Sequence, residues 1–302
     1  MRFSEQKRIK LSIVVAAWNG AAMLCDCLSS LENQIESINT EIIVVSNFEN
    51  GIDKLSAEFS FANYIVLPPE TTIPKLRARG IIESSGAIIA LSEDICAFDN
   101  NWCREIVKAH DSEYSIIGGA IENSENQNAL DWAVYFYDYG KYMLPDKAQI
   151  IDALSGMNVS YKREILEQIK ENYADGFFET FINEDLKRRG DKLFFTPLAI
   201  VFHRKNYEFE KVAAQFYHQA RSFAARRVSN FSTSKKLLFI LAAPLLPILL
   251  CARVMGRIIA KGQHFKELLT ALPQLVILIS IWSFGEFCGY LSGEGKSGDE
   301  WK

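Results

Sequence analysis

The chain is poor in the residues that most readily declare a metal centre. It has four histidines and six cysteines in 302 residues. Cys25 and Cys27 are one residue apart, too close for a CxxC redox pair, and Cys96, Cys103, Cys251 and Cys288 have no finger spacing. They read as reduced thiols facing cytosol or lipid. There is no GxGxxG and no Walker loop, so neither dinucleotide binding nor ATP hydrolysis is the first expectation. There is no basic excess either. The 33 Lys and Arg stand against 37 Asp and Glu, a formal charge of −4, which argues against nucleic acid as a partner. Residues 1–8 are charged and lack an apolar core, so no cleavable signal peptide is expected, and the first domain should stay in the cytoplasm.

Long apolar runs are present, and only near the end. From 237 to 250 the chain is almost wholly apolar, with Pro244 and Pro247 inside. A second run covers 268–291, broken by Pro273, Gln274, Glu286 and small residues. Spanning a bilayer takes about 20 apolar residues; the second run reaches that length, and the first does so only by continuing past Arg253. A buried hairpin in a soluble protein is the competing reading. Arg226, Arg227, Lys235 and Lys236 precede the first run. The connection carries Arg253, Arg257, Lys261 and Lys266 against Glu267. Both sides are basic, so a hairpin that fully crosses would oppose the positive-inside tendency. A membrane-inserted hairpin that need not cross, or helices lying on an anionic leaflet, satisfies it.

The first two thirds read as alternating strands and helices. The β-branched run 11–17 ends at Trp18-Asn19-Gly20, as a buried parallel strand followed by a tight turn does. Leu24, Leu28 and Leu31 fall on one face of a helix over 21–34. Strands follow at 41–45, ending on Ser46-Asn47, and at 64–67. A basic helix over 74–84 leads to the apolar strand 87–91, which stops on Ser92-Glu93-Asp94. This order predicts a mostly parallel sheet with right-handed crossovers. Its carboxyl edge should be a nucleotide crevice. Adjacent acids at such an edge repel and need a cation, protons or a hydrogen-bond network.

The later part is aromatic and mixed. Trp132, Tyr135, Phe136 and Tyr139 have helical spacing and read first as core, second as a sugar- or lipid-facing wall. Residues 154–163 read as a strand in which Gly156 suggests close approach of backbone or ligand. Asn183 is expected to cap a helix whose first turn holds Glu184 and Asp185 and which Gly190 ends. A final strand should close on His203.

These blocks, in this order, resemble family 2 glycosyltransferases of the GT-A fold over about residues 9–205. The blocks are the 12–19 segment, the helix with Ala78-Arg79-Gly80-Ile81 and its following strand, the Gly156-Met157-Asn158 strand, and Asn183-Glu184-Asp185-Leu186 with Arg189-Gly190. The resemblance implies an α/β GT-A domain, Rossmann-like with a mostly parallel sheet, over 1–227. Its nucleotide-sugar half would occupy about 9–120 and its acceptor half about 121–227. A membrane-associated apolar helical hairpin over 228–302 would follow. It also implies inverting transfer from a nucleotide-sugar with Mg²⁺ or Mn²⁺ as cofactor. By the same resemblance Asp94 and His203 are the metal ligands, and Asp185, with Glu184 beside it, is the general base. Ala16, Trp18, Asn19, Ser46, Asn47, Arg79, Ser92, Glu93, Gly156, Asn158 and Arg189 are the donor contacts. Two positions depart from the family pattern: Ser46 and Ser92 stand where many members have Asp. A membrane tail favours a lipid-linked saccharide or glycolipid acceptor at the cytoplasmic face of the inner membrane, in cell-surface polysaccharide or glycolipid assembly, because tethering raises effective concentration. The alternatives are a degenerate, non-catalytic scaffold and a nucleotidyltransferase on a similar core.

Overall fold

Strand β1 (Leu11–Ala17) is buried along its whole length, as a β-branched run between two parallel neighbours should be. The computed structural model describes residues 9–35, 38–124, 127–229 and 231–300; the charged stretch 1–8, and with it the signal-peptide expectation, lies outside the described residues. Two compact units are present. One comprises residues 1–122 and 142–204, the other residues 123–141 and 205–302.

In the first unit β1 is followed by α1 (Ala21–Leu31), β2 (Thr40–Ser46), α2 (Ile52–Glu58), β3 (Ala62–Val66), α3 (Ile73–Glu83) and β4 (Ile88–Glu93). The strands lie in the order β3-β2-β1-β4 and are all parallel. Then come β5 (Cys96–Phe98), α4 (Trp102–Ala109) and β6 (Ile116–Asn123). After α5 (Ala129–Asp138), which belongs to the second unit, follow β7 (Gln149–Ile150), β8 (Val159–Lys162), α6 (Arg163–Glu167), α7 (Glu179–Arg188) and β9 (Leu193–His203). These extend the sheet as β4-β8-β6-β9-β5, with β7 against β9. β8 pairs antiparallel with β4 and β6, and β5 and β7 pair antiparallel with β9. The parallel half is thus the expected Rossmann-like one. Val14, Leu91, Val159, Tyr161, Phe177 and Leu186 share one apolar core between sheet, α6 and α7.

Two local readings change. The strand expected from 154 begins at Val159, and 154–158 form a turn against the sheet. Helix α7 begins at Glu179, so Asn183 is buried in mid-helix, where its Oδ1 accepts from Tyr161 Oη at 2.9 Å, and does not cap. Gly190, at φ 102°, does end the helix, and its N–H donates to Lys187 O.

The second unit holds α5, α8 (Phe209–Val228), α9 (Thr233–Ala242), α10 (Leu246–Lys261), α11 (Phe265–Ser292) and the short α12 (Ser297–Glu300). α5 starts with a capping box between Asn128 and Asp131. Its Trp132, Tyr135 and Phe136 are buried, as the packing reading expects. Thr233–Lys261 and Phe265–Ser292 are long and apolar enough to cross a membrane, with mean hydropathies of 2.4 and 1.8. α8 fits close to α11 because Gly285 and Gly289 carry no side chain. A Cβ there would lie 2.5 Å from Tyr217 O or 2.4 Å from Arg221 O. Glu286, inside the apolar helix, is held by Arg227 Nη1 at 2.8 Å, by Trp282 Nε1 at 2.9 Å and by the Tyr290 hydroxyl.

Candidate active site

Because β1 and β4 are parallel neighbours, with Val15 opposite Ser92 and Ala16 opposite Glu93, the turn after one meets the acids after the other. Asp94 N donates to Ala16 O at 3.2 Å. In return Asp94 Oδ2 accepts from Trp18 N at 2.9 Å and Asn19 N at 2.7 Å, and Oδ1 accepts from Asn19 Nδ2 at 2.7 Å. Gly20, at φ 100°, then lets the chain swing into α1. Asp94 is buried, and burial pushes its carboxyl up to about 6 even though Asn19 and Trp18 pull it down.

The loops of β2 and β3 gather at the same edge. Asn47 N donates to Ala17 O at 3.2 Å, and Leu67 N to Ser46 O at 2.8 Å. Asn47 Nδ2 bridges to Pro69 O and Thr71 O, both at 3.2 Å, while Ser46 Oγ turns to Phe48 O at 2.6 Å. Ala16, Trp18, Asn19, Asn47 and Asp94 therefore converge.

Glu93 faces elsewhere. It accepts from Arg77 Nη2 at 2.6 Å, and Arg77 Nη1 reaches Glu179 at 2.5 Å. Burial alone would lower the affinity of Arg77 for its proton. Glu179 and Glu93 outweigh that cost and hold the guanidinium firmly charged. Gly156 gives it room: a Cβ at 156 would sit 2.4 Å from Arg77 Nη2. The close approach that a glycine suggests here is to this arginine. Ser92 Oγ ties β4 to the same turn through Met157 O at 2.9 Å. Asn158 is spent inside the sheet. It donates to Ala120 O and Ala199 O at 2.8 and 2.9 Å and accepts from Trp102 Nε1 at 2.9 Å.

Four of the remaining expected residues, Arg79, Glu184, Asp185 and Arg189, lie apart from this chain of contacts, whereas His203 ends β9 beside it. Arg79 sits on the exposed face of α3 and pairs with Glu83 at 2.9 Å. Glu184 pairs with Lys187 at 2.8 Å. Asp185 takes Arg189 and Asn172, each at 2.9 Å. His203 is fully buried at the end of β9, opposite Cys96, and Arg204 N donates to Ile95 O at 2.8 Å. Among the described residues no group of three His, Cys, Asp or Glu forms a ready metal cage. Asp94 Oδ1 accepts one hydrogen bond, from Asn19 Nδ2, so it keeps a lone pair with which it could coordinate a hard cation.

Arg77 and Glu179 escaped the sequence reading. The signal for Arg77 was its phase: Leu76, Arg77, Gly80 and Ile81 form the buried face of α3, and Arg79 is out of step with them. Glu179 carried only the weaker cue of an acid directly after the apolar pair Phe177-Phe178.

A parallel β3-β2-β1-β4 half continued by an antiparallel half is the architecture of the GT-A class. The profile of Glycosyl transferase family 2 matches residues 12–170, and the chain belongs to that family. It is 26% identical over 234 residues to the putative glycosyltransferase EpsH of Bacillus subtilis (strain 168), an alignment covering 74% of this chain and 58% of that protein. The crystal structure of GalNAc-T7 with UDP, GalNAc and Mn²⁺ has the same fold. It matches with a TM-score of 0.52 at 16% identity, over 68% of this chain and 45% of the other. The chain thus spans little more than half the length of the first of these proteins and less than half of the second.

Proposed function

We propose that this protein transfers a sugar, with inversion, from a nucleotide-sugar to a lipid-linked saccharide or glycolipid. It would act at the cytoplasmic face of the inner membrane, in cell-surface polysaccharide or glycolipid synthesis. The observation that carries the donor half is Asp94, held by the β1 turn at the carboxyl edge of the parallel strands within the family-matched region. Ligands of open α/β sheets bind at that edge. Asp94, with His203 as the further candidate ligand, would hold Mg²⁺ or Mn²⁺. The metal, when bound, neutralises charge on the departing diphosphate. The Mn²⁺ named for the GalNAc-T7 structure supports a divalent ion. The acceptor half rests on the second unit. Its apolar helices suit a lipid-borne substrate, and a cavity of about 560 Å³ beside Trp132, His264, Lys266 and Thr270 offers room for a polar head.

In the transfer an acceptor hydroxyl attacks the anomeric carbon from the face opposite the diphosphate. The C–O bond to the diphosphate breaks, and the hydroxyl proton passes to a carboxylate. Two carboxylates of α7 are candidates for that base. Asp185 is the one its motif position suggests; Glu179, the other, is tied at 2.5 Å to the guanidinium of Arg77, whose charge weakens it as a base. A general base contributes about 10²–10⁴-fold, so Asp185→Asn should lose turnover by about that factor with donor affinity intact, while Glu179→Gln should act through stability, because it leaves Arg77 short of a partner. Lost turnover in Glu179→Gln at an unchanged melting temperature, with Asp185→Asn near normal, would overturn the assignment of Asp185. Asp94→Ala should abolish the thermal shift given by nucleotide-sugar with Mn²⁺. If the unchanged protein neither binds nor hydrolyses any nucleotide-sugar, the scaffold reading stands instead.

A further inference from the structure

Two kinds of surface run along the helices of the second unit, and their geometry bears on how they meet lipid. On α11, between the exposed ends at Phe265-Lys266 and Ser292, the exposed residues Leu269, Val276, Ile277, Ser280, Phe284 and Leu291, with Pro273 among them, recur at near seven-residue intervals. At about 100° per residue they fall within one band about 100° wide. That band continues for nearly all 28 residues of the helix. The opposite face is occupied: Ala271, Leu275, Leu278, Gly285 and Gly289 are buried, and α8 lies against Gly285 and Gly289.

α8 is a polar helix, with Lys211, Arg221, Arg226 and Arg227 among its residues, and Arg227 is ion-paired to Glu286. If α11 crossed a bilayer, α8 would be drawn into hydrocarbon with it. Each Arg or Lys there costs roughly 2.5–3.5 kcal/mol even on the mildest scale.

α10 repeats the pattern. Ile248, Leu249, Ala252, Met255 and Ile259 share one side, and Arg253, Arg257 and Lys261 sit about 140–220° around the wheel from Ile248. Leu241, Ile248 and Leu269 are 69, 71 and 72% exposed. Residues 233–270 carry six Lys or Arg against Glu267 alone, although the whole chain is at −4. Apolar stripes flanked by cations are the composition of helices that lie in a membrane interface, and the charge sign selects anionic lipid.

We propose that α10 and α11 lie in the plane of an anionic phospholipid surface, each sinking one apolar stripe, and that neither crosses the bilayer. The proposal rests on the membrane association proposed above and adds its geometry and lipid charge.

The test uses the full chain with its native cysteines replaced, checked for an unchanged melting temperature, on sealed vesicles of phosphatidylcholine with or without phosphatidylglycerol. Gln263→Cys and Lys296→Cys flank α11. Both should react with an impermeant maleimide added outside, at rates within about 3-fold, while Leu269→Cys and Phe284→Cys become at least about 10-fold slower on binding. Protection of one flank by about 100-fold until the vesicles are lysed would show a spanning helix and overturn the proposal. Arg253→Glu with Arg257→Glu should weaken binding to phosphatidylglycerol vesicles by at least about 10-fold; unchanged affinity would overturn the lipid-charge part. A stable dimer that protects the stripe without lipid would assign it to a second copy. No vesicle binding at all would remove this proposal and the membrane reading together, while leaving the nucleotide-sugar reading to its own thermal-shift test.

Discussion

Arg77 is the residue on which the inner half of the site turns. It is buried between Glu93 and Glu179, and a buried ion pair broken on one side leaves uncompensated charge, at a cost of about 3–5 kcal/mol. Arg77→Met should therefore lower the urea midpoint by a comparable free energy, and Gly156→Ala should destabilise in the same direction because its methyl would meet the guanidinium. A second residue makes a prediction with pH. Burial pushes Asp138, the last residue of α5, up to about 7, with Lys141 opposing. The folded protein thus keeps a proton that the unfolded chain releases near 4, so stability falls as pH rises from about 4 to about 7. Asp138→Asn should raise the melting temperature at about pH 8, by the equivalent of about 1–2 kcal/mol, and leave it unchanged at about pH 4. Single residues were the least legible scale in the sequence. The place of Asp94 at a strand end was legible because a strand-end acid is a local pattern. Arg77 and Glu179 could not be paired because the contact joins segments 102 positions apart, and one sequence carries no trace of that distance.

At the scale of elements, periodicity was a reliable guide where an element is buried on known sides. β1 was read to the residue, and α3 and β4 to within a residue or two at most boundaries, because apolar runs and phases mark them. α7 was misplaced: Asn183 looks like a cap, yet Tyr161 claims its side chain from inside the core. The turn at 154–158 has strand-like composition and is bent because Met157 O and the Asn158 amide are engaged by Ser92 and by the sheet. Among the helices, the fit of α8 on α11 depends on two positions without side chains. Gly289→Val would place a methyl-bearing carbon 2.4 Å from Arg221 O. The helices would have to part, at about 1–3 kcal/mol, visible as a lower melting temperature and faster amide exchange in α8.

At the scale of the whole chain, composition marks a change of texture near Lys235-Lys236, and a cut at 227 follows from it. The compact units divide elsewhere. Residues 123–141 and α8 stand with the apolar helices, because tertiary packing and not hydropathy decides membership. On the proposed function, donor binding and lipid binding belong to different units and should separate. Leu241→Arg with Ile248→Arg should abolish sedimentation with vesicles while leaving the nucleotide-sugar thermal shift unchanged. A combined loss would show that the two activities are not independent. The family match ends at residue 170, so α7 and the entire second unit except 123–141 lie beyond it, and their roles rest on this structure's own contacts.

The hold on Asp94 has a consequence for how this protein can vary. Two of its three donors are peptide N–H groups of Trp18 and Asn19, which almost any substitution preserves. The grip on the carboxylate is thus nearly indifferent to which side chains the turn displays. A lineage could exchange the indole at position 18, which packs against Ala16, Ile43, Val45 and Leu76, without removing the peptide N–H that holds Asp94. Selection on packing at position 18 and selection on the hold on Asp94 would then act on separate atoms of the same turn.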